Sequence, residues 1–325
     1  MVKAALMCVG GITSKMAEVM AANKRVICYA AAAREFARAQ LIADKYGFEK
    51  AYGSYEELVE DEEVELVYIS GIHPVHYPLA KMCLEHGKHV ICEKPFTLNA
   101  VQAKELFDIA EEKHLFITEA MWTRFMPGRC KLDEILRGKE LGEVRSVFGQ
   151  YGFQFHNTPR LTEPELGGGA LLDLGIYPIN FASIVLGDQV KRVSSFAELT
   201  EKGMDRQSVI QLEYENGAMA SLMSSMNSCM DACGIINCER GMIKVDNLLN
   251  FSQIKIYAKG ESEPAVEYCF PEEINDFQYE LEAFVEALEH GQTEAELMPH
   301  RETMRIMRLM DDLRRDWGVK YPQED

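Results

Sequence analysis

The sequence predicts an α/β protein in two parts. Residues 1–120 form an N-terminal Rossmann domain, a doubly wound parallel sheet, and residues 121–325 form a C-terminal α+β domain built on a mostly antiparallel, open-faced sheet. Three observations predict it. Strand and helix patterns alternate as far as Ala120, the pattern then changes to strands separated by turns, and 325 residues exceed what one ordinary core organises.

In chain order, residues 2–9 read as a strand, 14–22 as a helix, 25–32 as a strand and 35–46 as a helix that Gly47 ends. Ser54 and Glu57 have the spacing of a capping box for a short helix. Residues 66–70 form the next strand, 74–85 a helix stopped before Gly87, 89–92 a strand, 99–113 a helix with Asn99 as N-cap, and 115–119 a last strand. Such alternation means parallel strands joined by right-handed crossovers. Beyond it, residues 144–155 and 208–214 alternate with period two, and Glu215-Asn216-Gly217 is a hairpin turn into 218–226. Further strands fall at 234–238, 242–245, 253–258 and 266–270. Residues 276–290 carry Phe277, Leu281, Phe284, Val285 and Leu288 on one stripe of a helix, and 300–317 form another, in which Met304, Met307 and Met310 read as core.

Composition narrows the function. Apolar residues at 47% and charged residues at 26% describe a globular chain. A net charge of −18 argues against a nucleic-acid or anionic-membrane partner, because either needs a basic face. The nine cysteines are an odd, scattered set, which predicts reduced thiols and a cytoplasmic location. Cys229, Cys233 and Cys238 match no zinc spacing and have no histidine near them, so no metal is expected. The apolar stretch 4–12 after Lys3 lacks a small-residue cleavage site and reads as a first strand; no run is expected to approach the roughly 20 apolar residues of a membrane span.

After the first strand, a G-x-G-x-x-G turn would fall on Cys8-Val9-Gly10-Gly11-Ile12-Thr13, where only the middle glycine is in place. Gly10 permits close approach of a pyrophosphate, Gly11 adds slack, and the helix start near Ile12 offers amide donors. Cys8 and Thr13 add bulk, which would weaken cofactor binding; a plain strand-to-helix turn is the alternative. After the second strand, alanines 30–33 and Arg34 stand where an NAD site needs a carboxylate, so NADP is expected and NAD is possible. Glu35 could pair with Arg34 instead. Gly71, His73 and His76 follow the strand at 66–70, where the histidines would touch ribose or nicotinamide or simply pack at a helix start.

At Glu93-Lys94-Pro95 a buried strand ends in a charged pair, at the edge where a doubly wound sheet opens its crevice. Pro95 keeps Lys94 extended and out of the following helix. A surface Lys-Pro turn is the plain alternative. Gly167-Gly168-Gly169 opens a helix that puts Asp173 and Tyr177 on one face, with Pro178 breaking or kinking it just after the tyrosine.

Four stretches together resemble the Gfo/Idh/MocA oxidoreductases, nearest the dimeric dihydrodiol dehydrogenase and glucose-fructose oxidoreductase branch. They are Glu93-Lys94-Pro95, the run Glu119-Ala120-Met121-Trp122-Thr123-Arg124-Phe125-Met126-Pro127, Gly142-Glu143-Val144, and the run from Gly167 to Pro178. The similarity covers nearly the whole chain, and the glycine turn is its main departure. The resemblance implies an NAD(P)-dependent dehydrogenase or reductase that moves a hydride between nicotinamide and a carbinol or carbonyl carbon of a small sugar, polyol or cyclic diol. Lys94, Asp173 and Tyr177 are then catalytic, tyrosine replacing the histidine of many relatives. Glu93, Lys94, Trp122 and Arg124 line the cofactor crevice, and the free face of the second sheet makes a homodimer. A sensor or regulator that binds a nucleotide or sugar without turnover is the alternative; Cys8 and Thr13 favour it, while Lys94, Asp173 and Tyr177 favour the enzyme.

Overall fold

The computed structural model describes residues 1–155, 158–271 and 274–324. The chain forms two compact units, one of residues 1–122 with 273–307 and one of 123–272 with 308–325.

The first unit is built in chain order from β1 (Val2–Met7), α1 (Gly11–Ala22), β2 (Val26–Ala32), α2 (Phe36–Tyr46), β3 (Lys50–Tyr52), α3 (Tyr55–Glu60), β4 (Leu66–Ile69), α4 (His73–Glu85), β5 (His89–Glu93), α5 (Ala100–Lys113) and β6 (Ile117–Ala120). Its six strands run in the order β3-β2-β1-β4-β5-β6, and every neighbouring pair is parallel. The strand order reverses between β1 and β4, the point where such sheets open a ligand crevice beyond their carboxyl ends. The expected caps are present: Ser54 accepts from the Glu57 N–H, Asn99 accepts from the Gln102 N–H, and Gly47 ends α2 with φ 79°. β3 is three residues long, too short to show a period in sequence.

The sequence put a single boundary after residue 120, whereas residues 273–307 group with the first unit. The reason is packing. Helix Phe277–Glu289 lies on α1, Phe277 stacks on Trp122 with ring centroids 6.0 Å apart, and Asn275 Nδ2 donates to the Lys15 carbonyl at 3.2 Å. An amphipathic pattern reveals that a helix covers a core, not which core it covers.

The second unit contains α6 (Pro127–Gly138), β7 (Val144–Gly152), α7 (Pro159–Thr162), α8 (Ile176–Leu186) and seven more strands. These are β8 (Val190–Leu199), β9 (Asp205–Tyr214), β10 (Met219–Ser225), β11 (Gly234–Cys238), β12 (Gly241–Val245), β13 (Gln253–Ala258) and β14 (Val266–Cys269). The eight-stranded order is β14-β13-β12-β11-β7-β10-β9-β8, antiparallel except for the β7–β10 pair. α8 lies on β7, β10 and β11 and buries one face. The other face keeps apolar side chains at its surface: Phe196 is 77% exposed and Met219 59%. β8 was absent from the expected strands because exposed Val193 and Phe196 blur its alternation.

Contrary to the expectation from sequence, residues 164–186 are by length and mean hydropathy apolar enough to cross a membrane, but most of the segment is buried inside the protein. They are a core segment here. Pro178 does not break the helix as expected. Residues Leu171–Gly175 form a π-helical turn, and the α-helix starts afresh at Ile176, so Pro178 falls in a first turn whose N–H groups need no helical partner.

Candidate active site

The turn after β1 is reorganised around its two departures from the glycine pattern. Cys8 takes the left-handed conformation, φ 71°, that a glycine would supply, and its thiol donates to the Tyr55 hydroxyl at 3.2 Å. Thr13 braces the loop from inside. Its Oγ1 accepts from the Gly10 N–H at 2.8 Å, donates to the Cys8 carbonyl at 2.7 Å and lies 2.7 Å from Ser70 Oγ. Gly10, Gly11 and Ile12 are exposed at the start of a 12-residue helix, and a Cβ on Gly11 would meet nothing within 4 Å. The space and the helix-start amides fit a dinucleotide pyrophosphate.

Arg34 is exposed beyond the end of β2. A second exposed guanidinium, Arg38, stands one helical turn further on and donates to the Val9 carbonyl. The sequence reading passed over Arg38, although its i+4 spacing from Arg34 was the available signal. Two arginines after β2 suit a 2′-phosphate, with Glu35 between them as the carboxylate that competes for Arg34.

His73 and His76 are both buried at the start of α4. The His76 ring nitrogens lie 2.8 Å from the Pro95 carbonyl and 2.9 Å from the Gly71 carbonyl. Burial, followed by the neighbouring His73 and Lys94, holds His76 down to about 4 against the pull of those two carbonyls. The ring is therefore neutral, and one of the two contacts is a hydrogen bond at a time. Its work in this structure is to tie the Gly71 loop to the Glu-Lys-Pro turn.

That turn is also fixed from below. Lys94 and Pro95 are joined by a cis peptide bond. The Glu93 carboxylate accepts the Tyr68 hydroxyl and, at 3.1 Å, the Lys94 N–H. Glu119 accepts the Phe96 N–H at 3.1 Å and the Thr303 hydroxyl at 2.9 Å. Beneath Glu93 lies Glu280, completely buried, with neither carboxyl oxygen hydrogen-bonded; burial and the Glu93 charge push it well above the usual carboxylate range. Nothing in the sequence marked Glu280, which sits on the amphipathic helix as one more acidic residue.

In the second unit the structure brings Asp173 and Tyr177 to a common wall. Asp173, on the π-helical turn, is gripped by Arg160 of α7, whose two terminal nitrogens each donate to one carboxylate oxygen at 3.0 Å. Tyr177 is 6% exposed, and its ring meets Tyr151 edge-on at 5.4 Å. Tyr151 continues edge-on to Phe153 at 5.0 Å, and Phe153 to Phe155 at 5.8 Å, so an aromatic row runs outward from the tyrosine along the end of β7. Leu161, Ala170, Leu174 and Met226 back this row. Arg160 and Tyr151 escaped the sequence reading, since neither stands at a recognisable spacing from Asp173.

Trp122 and Arg124, two of the expected crevice residues, fall in different units. Trp122 is stacked on Phe277 within the first unit. Arg124 is buried in the second, where Nε donates to Asn180 Oδ1 at 2.7 Å and a terminal nitrogen donates to Ser183 Oγ at 2.9 Å, anchoring it to α8. Among the described residues, no group of three or more His, Cys, Asp or Glu side chains is placed to hold a metal ion.

The chain matches the family described as "Oxidoreductase family, NAD-binding Rossmann fold" over residues 2–120, and the "GFO/IDH/MocA C-terminal domain" over 130–244. It is 33% identical to the trans-1,2-dihydrobenzene-1,2-diol dehydrogenase of Xenopus laevis over 299 residues, 90% of each chain. The Homo sapiens protein of that name is also 33% identical, over 301 residues, 91% of this chain and 90% of its own. Among solved structures, a 3-ketoreductase from Actinomadura kijaniata in complex with NADP and TDP-benzene has the same fold, with TM-score 0.88 and 22% identity over 98% of both chains. An aldose-aldose oxidoreductase from Caulobacter crescentus complexed with glycerol likewise shares the fold, with TM-score 0.87 and 19% identity over 98% of this chain and 97% of its own. This chain belongs to the Gfo/Idh/MocA family of NAD(P)-dependent oxidoreductases.

Proposed function

We propose that the protein oxidises a carbinol carbon, or reduces the matching carbonyl, of a small ring compound carrying vicinal hydroxyls, a cyclic diol or a sugar, with NADP as the preferred cofactor. The observation that carries this reading is the row Tyr177, Tyr151, Phe153 and Phe155 beside the Asp173–Arg160 pair. Aromatic edges and faces receive the apolar side of a ring, and an oriented carboxylate receives its hydroxyls. The relatives named as diol dehydrogenases, at 33% identity over most of both chains, support the same substrate class. NADP is supported by Arg34 and Arg38.

In this reading the first unit is the dinucleotide-binding domain and the second carries the substrate site. Gly10, Gly11 and Ile12 hold the pyrophosphate, the two arginines hold the 2′-phosphate, and the bound nicotinamide supplies or accepts the hydride at its C4. Tyr177 takes the hydroxyl proton during oxidation. A phenol ordinarily ionises near about pH 10, and a neighbouring ammonium favours the phenolate. Lys94 is that ammonium, and it also hydrogen-bonds the substrate oxygen as charge builds there. Asp173, its carboxylate direction set by Arg160, orients a second hydroxyl.

The exposed Phe196 and Met219 on the uncovered sheet face support a homodimer formed through that face. The free thiols of all nine cysteines support a reducing, cytoplasmic setting. A silent nucleotide or sugar sensor is the second reading, favoured by one observation: Thr13 already occupies the Gly10 amide that a phosphate would use.

The test is a turnover screen of cyclic trans-diols and pyranose sugars with NADP and NAD, followed at the nicotinamide absorbance. Turnover of a cyclic diol or a sugar with NADP supports the proposal. Tight nucleotide binding without turnover of any of them rejects it in favour of the sensor.

A further inference from the structure

Arg160 enters the proposed function only as the partner of Asp173, yet its two-pronged contact with that carboxylate is a role of its own. Its parallel hydrogen bonds to both Asp173 oxygens use the guanidinium fork as a clamp, a geometry that a lysine cannot reproduce. The Asp173 side chain is 9% exposed and that of Arg160 38%, so the pair is only partly screened by water.

Asp173 lies on the π-helical turn and Tyr177 on the first turn of α8 directly after it. A carboxylate so near a phenol that must lose its proton works against that loss, because the second negative charge is repelled by the first. A cation bound to the carboxylate removes the obstacle. Burial works against the Arg160 cation, but its hydrogen-bonded Asp173 and then Tyr177 hold it charged, so the guanidinium is within electrostatic reach of the phenol. Tyr151 faces Tyr177 from β7 as a further titratable group, and Lys94 of the first unit is the cation that the proposed mechanism already uses.

We propose that Arg160 is a positioning residue that fixes the direction of the Asp173 carboxylate and cancels its charge beside Tyr177, so that the tyrosine accepts the substrate proton at lower pH. The inference rests on Tyr177 being the proton-transfer group.

The experiment records kcat/KM against pH for the NADP-loaded enzyme with a substrate found in the turnover screen. Arg160→Gln keeps hydrogen-bonding capacity without the charge. It should cut kcat tenfold or more and move the limb on which activity rises with pH upward by about one pH unit or more, the usual size of a neighbouring charge's effect. Arg160→Lys should hold the limb near its original position while recovering only part of kcat. The double variant Arg160→Gln/Asp173→Asn removes cation and anion together, and it should return the limb to the unmutated position although kcat stays low. A merely structural arginine would lower kcat in all three with no movement of the limb, and that result overturns the inference. Should Arg160→Gln fail to fold, the double variant and Arg160→Lys are read against Asp173→Asn alone. A limb in Asp173→Asn no lower than in the unmutated enzyme, together with a displaced limb in Arg160→Lys, would then overturn the inference. Tyr177→Phe separates the two layers. Activity retained in it removes the tyrosine assignment itself, whereas activity lost in it beside an unmoved Arg160→Gln limb removes the arginine inference alone.

Discussion

Asp205 closes the space over Gly169: a Cβ added to that glycine would lie 2.2 Å from Asp205 Oδ1, while the other oxygen of the same carboxyl accepts the Leu171 N–H at 2.6 Å. Tyr321 completes the clamp by donating to the Gly168 carbonyl at 2.6 Å. The glycine run is therefore packed tightly against a buried carboxyl, directly before the π-helical turn that aims Asp173.

Gly169→Ala tests that clamp. The residue has φ 111°, which an alanine adopts only under strain of about 1–3 kcal/mol, and the added methyl must also displace the carboxyl. The expected outcome in urea denaturation is a loss of at least about 2 kcal/mol, with turnover falling as Asp173 shifts. A midpoint unchanged from the unmutated protein would mean that the carboxyl swings aside freely.

Glu280 predicts a pH dependence of stability in the first unit. Burial and then the Glu93 charge push its carboxyl well above the ordinary range, so the folded state keeps a proton that the unfolded chain releases. For a raised carboxyl the sign is definite: its contribution is full below the unfolded value, about 4.3, and is lost as pH rises towards the folded value. Glu280→Met should therefore raise stability more at pH 8 than at pH 4, read as the difference in urea midpoint at the two pH values. Equal differences at the two pH values would show that the carboxyl titrates normally.

The parts of this protein that were readable from sequence are those written in local periodicity. Strands 234–238 and 253–258 and helix 300–317 fall where their patterns put them, because alternation and caps are short-range signals. The proposed site was legible only in its contiguous parts. Lys94, Asp173 and Tyr177 stand in contiguous motifs, but Arg160 meets Asp173 across a loop, and Glu280 reaches Glu93 from a helix 187 residues further along. The turn after β1 was legible as a departure from the glycine pattern but not in its construction: only the folded loop shows Thr13 spending its hydroxyl inside it and Cys8 adopting the glycine-like backbone.

Cofactor choice follows from the two exposed arginines after β2. NADPH should bind more tightly than NADH, and Arg34→Ala and Arg38→Ala should each weaken NADPH by roughly tenfold while barely changing NADH, since a charge-assisted contact to phosphate contributes about 1.5–3 kcal/mol. Fluorescence titration with both cofactors checks this. Superimposable NADPH and NADH curves in the unmutated protein would contradict it.

Assembly is read from the uncovered face of the eight-stranded sheet. Phe196 pairs across strands with Val209, and Val209 with Met223, so one apolar row crosses three strands with Phe196 at 77% exposure. A homodimer closing this face should bury about 1,200–2,000 Å² or more, and Phe196→Glu together with Met223→Glu should convert it to monomer in light scattering without unfolding it. A monomer before mutation would refute the arrangement.

The proposed reacting groups give the sharpest expectation. Lys94→Met keeps the length of the side chain and removes its charge, and Glu93, His76 and Glu119 still hold the turn that carries it. Tyr177→Phe keeps the ring against Tyr151 and removes only the hydroxyl. Neither change empties the core or touches the turn at Gly10, so fold and NADPH affinity should stay close to the unmutated values. Turnover should not, because a positioned acid or base contributes roughly 10²–10⁴-fold. Asp173→Asn should also cost activity, and combining it with Lys94→Met should cost less than the product of the single losses if the two groups serve one transition state. Measured as kcat/KM beside cofactor affinity, a Lys94→Met enzyme that keeps most of its activity would remove the lysine from the mechanism, while strictly multiplicative losses in the double variant would separate Asp173 from it.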